Sequence, residues 1–251
     1  MPDAIAGAAG WALALGILGA CIGSFIAALV VRWPEDRSVV HGRSACDACG
    51  APIRARDLVP LLSAWRLGNR CAACRAAIDP VHWQIELAGA WIGAAAGVVA
   101  AGPQALAGAV FGWLLLALAA LDLRAWWLPD RLTGALAATG LVLGQGTLAD
   151  RAIGGVAGFV GLWVVARLYR AWRGRDGMGG GDPKLLGAIG CWLGWIMLPG
   201  VVLLAGVIGL GVVALSAIRG KAVAGDTALP FGALLAAATY PAWLTMIMMT
   251  P

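Results

Sequence analysis

Six stretches of this chain carry no charged residue at all: 4–31, 87–121, 132–149, 152–166, 185–218 and 227–251. Two of them, 87–121 and 185–218, are long enough to hold a pair of bilayer-crossing helices each, with Gly102-Pro103 and Pro199-Gly200 supplying the turns. The expected count is therefore about eight transmembrane helices. Hydrocarbon offers no partner to a bare N–H or C=O, and no stretch alternates polar with apolar residues as a barrel strand does. The fold class that follows is an all-α polytopic membrane protein. A hydrophobic content of 61%, a charged content of 12% and a mean hydropathy of +0.85 exclude an ordinary soluble domain.

The charges that remain are distributed with a bias. With the N-terminus outside, segments 32–86, 122–131, 167–184 and 219–226 share one side of the membrane, and of 18 Lys and Arg residues only Arg151, in a loop near 149–151, falls on the other. The positive-inside rule makes the crowded side cytoplasmic, with both termini outside and Arg167 snorkelling from a span. The net charge of +5 is thus a topology signal. It forms no aromatic-interleaved stripe, so nucleic acid is not an expected partner. The first apolar run has no basic region before it and a basic flank after it, which predicts a retained anchor, not a cleaved signal.

Segment 32–80 holds eight Arg residues and four of the six Cys, and nothing in it can cross a bilayer. The domain plan is accordingly a first transmembrane helix over 1–31, a cytoplasmic four-cysteine domain over 32–80 and a seven-helix membrane domain over 81–251. Cys46-Asp-Ala-Cys49 and Cys71-Ala-Ala-Cys74 are two CxxC knuckles, 21 residues apart, compatible with one tetrahedral zinc site. Four thiolates leave no coordination position for water, so the zinc is expected to be structural, a staple for a module too small to be secure on its own core. Cys21 and Cys191 fall inside spans and are expected to be small buried residues.

Two acids border apolar spans: Asp122, in Leu-Asp-Leu-Arg-Ala-Trp-Trp-Leu-Pro-Asp, and Asp182, in Gly-Met-Gly-Gly-Gly-Asp-Pro-Lys. A carboxylate at a membrane boundary is costly and marks a functional candidate. The third span runs inward and ends at Asp122, and the sixth starts from the same side just after Asp182, so antiparallel helices bring both to one depth. Two adjacent carboxyls share a proton; the charged one can deprotonate water while the neutral one polarises a carbonyl. Gly179, Gly180 and Gly181 permit close approach of an extended peptide, and Pro183 suits the first turn of the next helix. A phosphate loop is excluded because the Gly-Lys-Ser/Thr ending is absent and Asp182 would repel phosphate. Taken singly, Asp122 could be a helix-end partner of Arg124, and Asp182 an N-cap beside Lys184.

An ordered set of motifs spans nearly the whole chain: Gly23-Ser24-Phe25 leading to Arg32-Trp33-Pro34, the two knuckles, Glu86, Asp122 through Leu128-Pro129-Asp130, Gly179 through Leu185, and Leu229-Pro230-Phe231-Gly232. In this set the chain resembles the prepilin peptidase (type IV leader peptidase) family of GxGD aspartic membrane proteases. The resemblance implies that Asp122 and Asp182 are the catalytic pair. It also implies cleavage of a basic leader from type IV prepilins and type II secretion pseudopilins after Gly, at the cytoplasmic face of the bacterial inner membrane. Methylation of the new N-terminus with S-adenosylmethionine is implied as well. Asp130 is expected to be a helix N-cap before Leu132. Candidate substrate contacts are Glu86, Gly179, Gly180, Gly181 and Lys184, with Glu35, Asp36, Asp57 and Asp79 as further guides for a basic leader.

His41 and His82 read as solvated or hydrogen-bonded flank residues, and Trp126 and Trp127 as interfacial anchors. The run Arg167, Arg170, Arg173, Arg175 faces anionic lipid, and the loop at 171–181 is a candidate gate. Three alternatives stay open: a peptidase without methyltransferase activity, a proton- or cation-coupled transporter, and a nonenzymatic assembly factor docking through its zinc domain. A transporter would place its acids at mid-bilayer on interrupted helices, often in repeated halves.

Overall fold

The computed structural model describes residues 2–39, 43–220 and 228–249. His41 lies outside them. The described residues form α1 (Pro2–Arg32), α2 (Leu62–Leu67), α3 (Val81–Val99), α4 (Gly102–Ala125), α5 (Asp130–Leu143), α6 (Leu148–Arg173), α7 (Gly181–Leu193), α8 (Leu198–Ile218) and α9 (Phe231–Met249), with no strand longer than an isolated bridge. Apart from the short α2, these are the eight helices expected. Five of them, α1, α4, α6, α8 and α9, are long and apolar enough to cross a membrane individually. By its contacts the chain divides into two compact units, residues 1–116 and 117–251.

In the first unit α1 packs along α3 on a ridge of glycines. Gly89, Gly93 and Gly97 recur every four residues and so share one face of α3. A Cβ added at Gly93 would stand 2.0 Å from the carbonyl oxygen of Leu15, and one at Gly89 would stand 2.4 Å from that of Gly19. Backbone meets backbone here because lipid gives apolar side chains no reason to associate, so close packing must supply the attraction. Trp113 of α4 donates its indole N–H to the Gly89 carbonyl at 3.0 Å. Cys21, expected to be buried, is exposed on α1, because the glycine face takes the contact with α3 and Cys21 falls off it.

The second unit is built around α7, which is buried from Asp182 to Leu193 except at Lys184 and is in contact with α5, α6 and α9. Trp192 is wholly buried and donates to the Leu136 carbonyl of α5 at 2.8 Å. Gly154 of α6 and Gly190 of α7 meet as a pair: a Cβ at Gly190 would lie 2.1 Å from the Gly154 oxygen. Neither backbone can yield without parting the helices. Gly190→Ala is expected to cost about 1–3 kcal/mol or more, read as a lower unfolding midpoint in detergent.

Three boundaries differ from the sequence expectation. The turn expected near 149–151 lies at 144–147, since Thr147 and Asp150 form a reciprocal capping box that starts α6. Arg151 then sits in the first turn of α6 and donates to the carbonyls of Leu141, Val142 and Gly146, closing the C-terminal end of α5. The turn expected at Pro199-Gly200 lies at 194–197, entered through Gly194 at φ +73°, and Pro199 occupies the first turn of α8, where a missing N–H is harmless. Finally, α5 and α7 have 14 and 13 residues, about 20 Å at 1.5 Å per residue, short of a hydrocarbon core of about 30 Å. Surrounded by longer helices, α7 has no need to reach both surfaces.

Candidate functional site

The cysteine module belongs to the first unit. Each CxxC folds into the same small loop: Cys46 N–H donates to the Ala51 carbonyl and Cys71 N–H to the Ala76 carbonyl, both at 2.9 Å. In each the residue after the second Cys turns left-handed, Gly50 at φ +69° and Arg75 at φ +61°. The four Sγ atoms of Cys46, Cys49, Cys71 and Cys74 lie within 4.8 Å of one another, so the set can hold a metal ion. The N–H groups of Cys74 and Ala73 directed at Cys71 bring its thiol down to about 6, toward the thiolate that binds metal. Gly tolerates the left-handed conformation and Arg does not, so Arg75→Gly is expected to stabilise the module by about 1 kcal/mol. Thermal unfolding of that variant checks it.

The module is tied to both neighbouring helices of its unit. Arg32, at the end of α1, donates to the Ala45 carbonyl at 3.1 Å and pairs with Asp47 at 3.5 Å. Arg37 pairs with Asp47 and Glu35, each at 2.8 Å, and Arg66 pairs with Asp57. Asp79 accepts the Val81 N–H at 3.0 Å and starts α3. Glu86, 7% exposed, accepts the Leu61 N–H at 2.8 Å. That contact fastens a turn in which Leu61 adopts φ +61°, an uncommon conformation for a branched side chain. Between α1, α3 and the module lies a cavity of about 930 Å³, with Ser24, Arg32, Asp79, His82, Trp83 and Glu86 in its wall.

The second unit holds both aspartates. Asp122 lies in the last turn of α4 and Asp182 in the first turn of α7; they are 6% and 5% exposed. At such burial a carboxylate needs donors. Asp182 Oδ2 accepts the Gly179 N–H at 3.0 Å, folding the glycine loop back over the acid. Asp122 Oδ2 accepts the Ala233 N–H of α9 at 2.8 Å, with the backbone of Gly232 alongside. The two carboxylates are near enough for the charge of Asp122 to bear on Asp182. One side chain touches both flanks: Leu128 lies 2.8 Å from where a Cβ would stand at Gly181 and 2.8 Å from one at Gly232.

Around this pair, α4 ends through Trp126 in the left-handed conformation, and Trp126 and Trp127 are exposed, as expected of interfacial anchors. Gly179 and Gly180 lie in the loop before α7, and Gly181 is its first residue. Asp130 is the first residue of α5 and not its N-cap, a position Pro129 holds without a side-chain bond; the Asp130 carboxylate instead meets Lys184 at 2.6 Å. Of the basic run, Arg167 lies over Trp163, Arg173 over Trp172, and Arg170 pairs with Asp176. The α9 donor to Asp122 was not legible as such: Leu229-Pro230-Phe231-Gly232 marks a helix start, but nothing in it names the acid that closes it.

The fold and this site define a polytopic membrane protein with a buried pair of acids and a four-cysteine module. Comparison with known sequences matches residues 17–99 to the Bacterial Peptidase A24 N-terminal domain and residues 109–214 to the Type IV leader peptidase family. Two proteins of Burkholderia pseudomallei, each named prepilin leader peptidase/N-methyltransferase, are similar to it. One is 39% identical over 88% of this chain and 81% of its own length. The other is 43% identical over 81% and 67%. A protein of the same name from Pseudomonas aeruginosa is 34% identical over 92% of this chain and 88% of its own length. The chain belongs to the type IV leader peptidase family. No solved structure matches it.

Proposed function

We propose that this protein is an aspartic endopeptidase that removes the basic leader from type IV prepilins and type II secretion pseudopilins, cutting after Gly. The observation that supports the reading is that Asp122 and Asp182, both buried in the second unit, each accept a backbone N–H, with the charge of Asp122 reaching Asp182. Two carboxyls that act as a pair hold one proton between them. The ionised acid takes a proton from water, whose oxygen adds to the scissile carbonyl; the protonated acid gives its proton to the carbonyl oxygen. Collapse of the tetrahedral intermediate breaks the C–N bond as the leaving amine receives the proton first taken from water.

Gly179, Gly180 and Gly181 would let the extended leader junction approach the acids, with Lys184 beside them. Glu86 keeps a second carboxylate oxygen for a basic residue of the leader. Zinc on Cys46, Cys49, Cys71 and Cys74 would hold the module together and take no part in the cut, since four thiolates close its coordination. The relatives' shared name supports a second activity, N-methylation of the new N-terminus with S-adenosylmethionine, for which the cavity bearing Trp83 and Glu86 is the candidate seat. The charge bias supports a cytoplasmic setting for the module and for the two acids at the inner membrane, with both termini outside.

The test is purified protein in detergent with a full-length prepilin, with and without S-adenosylmethionine, read by mass spectrometry. Loss of the leader at a Gly bond without the donor, and a product one methyl heavier with it, is the expected result. An uncut precursor would end the peptidase reading, and a cut but unmethylated product the second activity.

A further inference from the structure

The residue that closes over Asp122 lies 111 positions away in sequence, and its chemistry is unusual for a helix start. α9 begins at Phe231, so the N–H groups of Gly232 and Ala233 are among the first four of the helix, which have no partner within it. The Ala233 N–H is satisfied by the side chain of Asp122, from another helix, whose Oδ2 lies 2.8 Å from its nitrogen. Helix starts are ordinarily closed by a local Ser, Thr, Asp or Asn, and the residues before Phe231 are Leu229 and Pro230, which offer no such group. Gly232 itself leaves no spare room: a methyl there would stand 3.0 Å from Asp122 Oδ2 and 2.8 Å from Leu128 Cδ1.

The two acids are therefore held differently. Asp122 accepts the Ala233 N–H at the positive end of a helix, a contact that offsets part of what burial costs its charge. Asp182 receives one, from a glycine loop, and faces the Asp122 charge. We propose that the first turn of α9 is a positioning element that fixes Asp122 as the ionised, water-deprotonating member of the pair and leaves the proton on Asp182, with Gly232 required because any side chain would displace the held oxygen. This rests on the reading of the two aspartates as the reacting pair and adds to it which acid does what, and why.

Two variants of the full chain test it. Ala233→Pro deletes the donor while keeping a residue that a first helical turn accepts. Gly232→Ala keeps the Ala233 donor and moves the oxygen. Each is expected to cleave prepilin about 10- to 100-fold more slowly, Ala233→Pro by deleting and Gly232→Ala by displacing one hydrogen bond to a charged group, with KM changed little. For Ala233→Pro the acid limb of the pH–rate profile should move to higher pH, because the base has lost a donor that favours its charged form. A variant that is merely less well folded has fewer active molecules and an unmoved profile; that result would overturn the proposal, as would wild-type rates in both. Asp122→Asn and Asp182→Asn are assayed alongside. If either still cleaves normally, the peptidase reading itself fails; if both are inactive while the α9 variants are normal, only the positioning role does.

Discussion

Asp182→Asn and Asp122→Asn are each expected to slow leader cleavage by at least about a thousandfold while leaving the protein folded. An amide is nearly the size of a carboxylate and keeps a carbonyl oxygen, so Asn at 182 can still accept the Gly179 N–H and Asn at 122 the Ala233 N–H. Packing of α4, α7 and α9 therefore survives. What disappears is the shared proton: an amide can neither remove a proton from water nor give one to a carbonyl oxygen. Each loss should be nearly as large as that of the double variant, since both acids serve one step and such effects do not add. Cleavage rates on a purified precursor, set beside unfolding midpoints, decide it. Normal turnover in either single variant would remove the basis for an aspartic mechanism.

Cys71→Ser is expected to strip the module of its metal and of its order. Structural zinc in peptide frameworks contributes about 10–16 kcal/mol of apparent binding energy, comparable to the whole folding stability of a domain, about 5–15 kcal/mol. The module's described residues hold little regular structure, one six-residue α-helix, a 3-10 turn over Ala55–Asp57 and two isolated bridges, with ion pairs that are mostly exposed. Cys71 is its buried cysteine, 8% exposed, so a serine there would also leave a hydroxyl without water. Metal content per protein should fall toward zero, and proteolysis should open between residues 43 and 79. Cys191→Ser is the control, because that thiol is buried in α7 and is not one of the four clustered cysteines. Unchanged metal content in Cys71→Ser would sink the tetrathiolate site.

The eight helices, the inserted module and the cysteine set were all legible in the sequence, because each leaves a local trace: an uncharged run, a dense basic stretch, a CxxC pair. Helix ends were less so. The start of α6 was missed because its signal, Thr147 with Asp150 three residues on, sits inside a polar patch that also reads as a loop. The shortness of α5 and α7 was hidden because apolar residues continue past their ends; Gly144 and Gly194 break the helices, and hydropathy does not register that.

By itself the sequence determined that this chain lies in a membrane, with two acids at the margins of its spans, since desolvation makes charge placement in lipid a local and costly matter. Tertiary structure alone decided what holds Asp122. The N–H that Asp122 accepts belongs to a helix more than a hundred residues further on, and the Leu128 side chain that contacts both glycine flanks does so only once α7 and α9 have packed. Backbone donors have no residue type, so no pattern of letters can announce them; only the path of the chain aims them.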